Sequence, residues 1–242
     1  MEVLNSALLL AWFAPVLLVA LGLAVTQKST IRWGYILAGI AAYTVYSLVG
    51  YATLPDNIGE LLVHARWTSR LAQLGAGLAM VALAIRLGRS ELLEREAMGL
   101  TLKQAPGSVP MALAGVAVLA LLGAVLGGLQ FETMPVPAAW AYHLTLPGLE
   151  EEILYRGLLT GLFAAGIGGK RALVWGSVLA TLVFALGHAV TPGGTGAIDF
   201  SPITLAVTLF AGAILADMRL RTGSIVLPII GHNLLGLAVI YA

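Results

Sequence analysis

Apolar stretches long enough to cross a bilayer recur along almost the whole chain, and they constrain the fold more than any other feature. A spanning helix needs about 20 mostly apolar residues. Eight segments qualify: roughly 6–25, 33–53, 68–88, 109–130, 139–165, 171–191, 202–219 and 224–241. Lipid offers backbone groups no hydrogen bonds, so segments of this length are expected to be helices. The expected fold is all-α: a polytopic membrane protein of about eight transmembrane helices. Only 10% of the residues are charged, against about 25% in a soluble domain. A net charge of +1 without a basic tract gives no reason to expect nucleic acid as a partner. The absence of cysteine excludes disulfides, thiolate metal ligands and cysteine nucleophiles. Glu2 is the only early charge, and no basic n-region precedes the first apolar run. That run is expected to be a retained span rather than a cleaved signal.

The spans divide into an N-terminal set over 1–130 and a C-terminal set over 131–242, four in each, within a single integrated membrane domain. The polar stretch at about 89–104 has the leucine spacing and charges of an amphipathic surface helix. Pro147 and Gly148 are expected to break the fifth segment just before its glutamates. Odd-numbered loops hold Lys28, Arg32, Arg86, Arg89, Arg95, Lys103, Lys170, Arg171, Arg219 and Arg221, whereas even-numbered loops hold Arg66, with Arg70 just inside segment three. Cytoplasmic loops carry the excess of Lys and Arg, so both termini are expected outside.

Ionisable groups at membrane depth are costly unless paired or facing water, and so are candidates for function. The run "LPGLEEEILYRG" places Glu150, Glu151, Glu152 and Arg156 in the fifth segment. Glu152 and Arg156 are four apart and can pair on one helix face. Glu151 lies about 100° round the helix and can point into a cavity. A carboxylate in such a pocket is a stronger base than in water, as general-base work near neutral pH requires. Glu150 follows the expected break and would cap the new helix. Three acids against one base leave an excess of negative charge that a simple ion pair does not explain. His188 and His232 lie in separate spans, the latter beside Asn233, while His143 sits near an interface and is read as structural. By depth, Glu151, His188 and His232 can converge on one water or one metal ion in a cavity that opens outward.

These residues resemble the CAAX-processing and bacteriocin-self-immunity (CPBP) family of intramembrane proteases. "EEILYRG" is similar to the family's EExxxR motif, "FALGH" (Phe184 to His188) to its FxxxH motif, and "HNLLG" to its final histidine motif. The resemblance covers roughly 140–240. It implies that Glu151 activates the attacking water with His188 assisting, that Glu152 and Arg156 support the site, and that Phe184 packs beside it. It also implies that His232 binds the oxyanion. Gly236 stands where the family has Asn or Asp, leaving a backbone N–H, a water or Asn233 as second donor. No cofactor is favoured; were the enzyme a metalloprotease, zinc would take Glu151, His188 and His232. The implied partner is a membrane-anchored protein or peptide substrate within the lipid bilayer. The charge pattern fits a bacterial inner-membrane enzyme with its active-site mouth facing the periplasm, akin to the sortase-like (myxosortase-type) members. The alternatives are a CAAX-type prenyl-protein protease, or a non-catalytic immunity or transport protein.

Overall fold

The computed structural model describes residues 6–27, 31–53, 62–127, 136–193 and 197–241. Its helices are α1 (Ser6–Gln27), α2 (Trp33–Thr53), α3 (Leu62–Leu87), α4 (Val109–Gly127), α5 (Val136–Glu152), α6 (Thr160–Ile167), α7 (Ala172–Ala189), α8 (Pro202–Thr222) and α9 (Val226–Tyr241). A π-helical turn, Ile153–Leu159, joins α5 to α6 without a break, so the two form one rod. The chain is an all-α polytopic membrane protein, and among the described residues six helices are long and apolar enough to cross a bilayer. The α5–α6 rod lacks that signature because it carries the glutamate cluster. Lys28 and Glu2 lie outside the described residues, and of the Arg66 side chain nothing is described.

Every residue from 150 to 167 is buried, which makes the second half of the rod the axis of the fold. Its charges therefore face protein rather than lipid, as buried ions in a membrane require. Small residues let neighbours close on it: a Cβ at Gly176 of α7 would come within 2.5 Å of the Thr160 carbonyl. α8 is capped at its start by Ser201, whose hydroxyl accepts from Thr204 N at 3.2 Å, and ends at Gly223 with φ +73°. Between α7 and α8 a short antiparallel hairpin, β1 (Val190–Pro192) with β2 (Ile198–Phe200), sits two residues beyond His188.

Three local expectations are corrected. The 89–104 stretch is not an amphipathic helix but a single 3-10 turn, Glu91–Leu93, followed by turns. Its backbone is recruited by the α8–α9 corner instead: Ala97 O accepts from Arg219, Gly99 O from Ile225 N, and Thr101 O from the Ser224 hydroxyl. Leu93 and Met98 are buried against the rod at Gly161. Pro147 does not break the fifth segment, because α5 runs through it to Glu152. The Asn233 carboxamide takes up backbone groups beside the proline, accepting from Gly148 N at 2.7 Å and donating to the Leu144 and Thr145 carbonyls at 3.1 and 3.4 Å. Such compensation by a neighbouring helix is how a membrane helix tolerates proline. Glu150 consequently caps nothing; it lies within α5 and bonds Tyr46 and Arg70.

Candidate active site

The π turn follows directly after the glutamates and adds an i−5 bond, from Thr160 N–H to the Tyr155 carbonyl. Such widened turns concentrate at functional sites. Within it, Arg156 Nη1 donates to Glu152 Oε1 at 3.0 Å, both side chains being essentially excluded from solvent. The pairing read from the i,i+4 spacing is present. Arg156 also donates to the Gly212 carbonyl at 3.2 Å, and its Cζ stands 4.6 Å from the Phe184 ring centroid. Glu152 Oε1 accepts a second bond, from His232 Nδ1 at 2.8 Å. One buried carboxylate thus neutralises an arginine and orients a histidine.

Glu151 divides its two oxygens. Oε1 accepts from Arg70 Nη1 at 2.5 Å. Oε2 is buried without a hydrogen bond among the described residues, and stands 3.7 Å from Nε2 of both His188 and His232. His188 Nδ1 lies 2.8 Å from the Phe184 carbonyl. A carbonyl only accepts, so Nδ1 carries a proton, and the ring presents Nε2 to Glu151. The Phe184 ring wedges both imidazoles, with centroids 4.5 Å from His188 and 5.9 Å from His232. Glu151, His188 and His232 are therefore brought near one another from α5, α7 and α9, each imidazole 3.7 Å from the same carboxylate oxygen.

Two participants escape the motif pattern. Arg70 of α3 bonds Glu150, Glu151 and the Tyr142 hydroxyl, and Tyr46 of α2 donates to Glu150. Glu151 is thus not without a cation partner. Arg70 is the charge that three acids against one base call for, and it lies in an apolar span, the same signal that marks the glutamates. Tyr46 carries no such signal. Both come from the first four spans, so the site draws on both halves of the chain.

Asn233 is turned away from the carboxylates, with both ends of its carboxamide committed to α5. Gly148 makes room for it: a Cβ there would come within 2.6 Å of Asn233 Oδ1 and of the Ile229 carbonyl. Asn233 is therefore not a geometric substitute for the oxyanion donor expected at 236. Asn233→Ala is expected to cost roughly 1–3 kcal/mol of stability by leaving buried backbone groups unpaired. Turnover of the folded protein should fall less than tenfold; a drop of about 10²–10³, the mark of a lost oxyanion donor, would reverse this assignment. The room over Gly236 faces His143, whose Nδ1 would lie 3.2 Å from a Cβ there. His143 otherwise packs edge-on against Tyr142.

A cavity of about 280 Å³ meets this cluster, lined among others by Tyr43, Tyr46, Arg70, Glu151, His188 and Thr191. Trp12 of α1 closes one wall and donates to the Val190 carbonyl at 2.9 Å, tying α1 to the hairpin. As zinc ligands, Glu151 Oε2 and the two Nε2 atoms are suitable in type. Their 3.7 Å separations are wider than the roughly 3.4 Å edge of a tetrahedral zinc site. Among the described residues no three such ligands already close on a common point.

The family model for "Type II CAAX prenyl endopeptidase Rce1-like" matches residues 133–238, a stretch holding all three motifs. No curated protein and no solved structure matches the chain.

Proposed function

We propose, from the match of residues 133–238 to the CAAX prenyl endopeptidase family model and their CPBP-type motifs, that this chain hydrolyses a peptide bond near the C-terminus of a membrane-anchored or exported protein, using water activated by Glu151. The observation that carries this reading is Glu151 Oε2, without a hydrogen bond among the described residues and 3.7 Å from each of two imidazole nitrogens. A water seated there lies within hydrogen-bond reach of all three atoms. It donates one hydrogen to Glu151 Oε2 and the other to His188 Nε2, which turns an oxygen lone pair toward the scissile carbonyl. Glu151 accepts the proton as hydroxide adds, and the proton passes to the departing amine. His232, held through Nδ1 by Glu152, offers Nε2–H to the oxyanion when its ring is protonated. Arg70 is a positioning residue, since gripping Oε1 fixes where Oε2 points.

This reading is metal-free. Zinc on Glu151, His188 and His232 is the alternative, and it would supply a Lewis acid and an activated water. The experiment uses the purified full-length protein and peptides that carry a C-terminal membrane anchor, assayed with and without a chelator. Cleavage unaffected by the chelator is expected. Cleavage lost on chelation and restored by zinc would replace the glutamate–water mechanism, and no cleavage of any anchored peptide would count against the protease reading.

The excess of Lys and Arg in the odd loops supports a mouth facing the exterior, and hence exported substrates of the kind sortase-like members process. Reporter fusions at both termini should read outside. Cytoplasmic termini would favour prenylated cytosolic substrates instead.

A further inference from the structure

A second cavity, of about 650 Å³, lies away from the chemistry between α2 and α3. The two helices run antiparallel, and the site uses Tyr46 near the end of α2 and Arg70 near the start of α3. The groove instead takes Gly34, Ala38 and Ala41 from the opening turns of α2, and Leu83 and Leu87 from the close of α3. From Arg70 to Leu87 the helix rises roughly 25 Å, so the Arg32 end of the groove belongs to the opposite leaflet. Its floor is Leu158 and Leu162 of the central rod.

The small residues on α2 leave a trough where larger ones would have packed against α3. Within this otherwise apolar lining there is a single formal charge, Arg32, at the membrane end of the trough. Arg32 is exposed, and among the described residues no carboxylate pairs with it. Its Cζ lies 5.2 Å from the Tyr35 ring centroid, and the Tyr35 hydroxyl accepts from Arg89 N at 3.3 Å, which fixes that ring at the mouth. Arg86 and Arg89 are exposed at the same end; the acids of the adjoining turn, Glu91, Glu94 and Glu96, are exposed too but do not line the trough. An apolar slot of ligand size closed by one unpaired cation is complementary to an amphiphile with an acyl tail and an anionic head.

We propose that this groove is a binding site for an anionic phospholipid, with an acyl chain along Ala38 and Leu83 and the phosphate at Arg32. The site is separate from the proteolytic one and does not depend on it. The test is native mass spectrometry of the detergent-solubilised full-length chain, with dioleoyl phosphatidylglycerol, dioleoyl phosphatidylcholine and soluble glycerol phosphate as probes. The wild type should retain phosphatidylglycerol over phosphatidylcholine and should not retain glycerol phosphate. Arg32→Gln should weaken phosphatidylglycerol about fivefold, the usual worth of one interfacial cation, and leave phosphatidylcholine unchanged, while Arg32→Lys preserves the preference. Ala38→Phe, which fills the trough without touching the charge, should displace the lipid and provides a second reading should Arg32→Gln fail to fold. Equal retention of the two lipids by the wild type, or an intact preference in Arg32→Gln, would overturn the proposal. Glycerol phosphate binding as tightly as the lipid would overturn it as well.

Discussion

Glu151→Gln is expected to remove turnover almost completely, lowering kcat by about 10³–10⁴-fold with little change in KM. Glutamine keeps the shape of the side chain, and its amide oxygen can still accept from Arg70, which bonds Glu151 Oε1 at 2.5 Å. What it cannot do is take a proton from water at the position of Oε2, 3.7 Å from both histidines. The control is cooperative unfolding of the variant in detergent, which should stay close to that of the wild type. Glu151→Ala is a poorer probe, since it also strips Arg70 of a partner and mixes chemistry with burial energetics. His188→Ala should cost less, about 10²-fold, because the carboxylate still accepts the proton while water loses its second acceptor. Turnover in Glu151→Gln within tenfold of wild type would remove Glu151 as the base.

The reach of the sequence follows from which interactions are local. The eight segments were legible because apolar length is a one-dimensional property, and the ends of α2, α3 and α7 fall within a few residues of the expected bounds, with the exception of the start of α3 at Leu62. The Glu152–Arg156 pair was legible because i,i+4 spacing decides it. The meeting of Glu151, His188 and His232 was legible only through depth counting and motif resemblance, since no local rule links positions 37 and 81 residues apart. Arg70 was placed just inside segment three but not tied to the glutamates, because its partners lie 80 and 81 residues away, although the unbalanced acids already required another cation. Pro147 was misread for the same reason. A proline predicts a break only when no neighbouring helix supplies the missing hydrogen bonds, and the supplier lay 85 residues from Gly148. The turn around Glu91–Leu93 likewise depends on Arg219 and Ser224, which bond backbone more than 120 residues away.

The Glu152–Arg156 pair separates support from chemistry most sharply. Arg156→Met keeps much of the volume but leaves Glu152, wholly buried, with only His232 to balance its charge. Breaking a buried pair from one side typically costs about 3–5 kcal/mol, and chemical unfolding in detergent should show a loss of that order. The double variant Glu152→Gln/Arg156→Met removes both charges together, so most of the stability should return. Activity should not return with it. His232 Nδ1 would then face a neutral amide in place of the carboxylate at 2.8 Å, so the protonated ring that the oxyanion role requires is no longer favoured. A kcat still at least tenfold down in a restabilised double variant identifies Glu152 as the positioning residue for His232. Recovery of both stability and kcat would reduce the pair to a strut between helices. A loss below about 1 kcal/mol for Arg156→Met, the range of exposed pairs, would contradict the burial on which the whole rod depends.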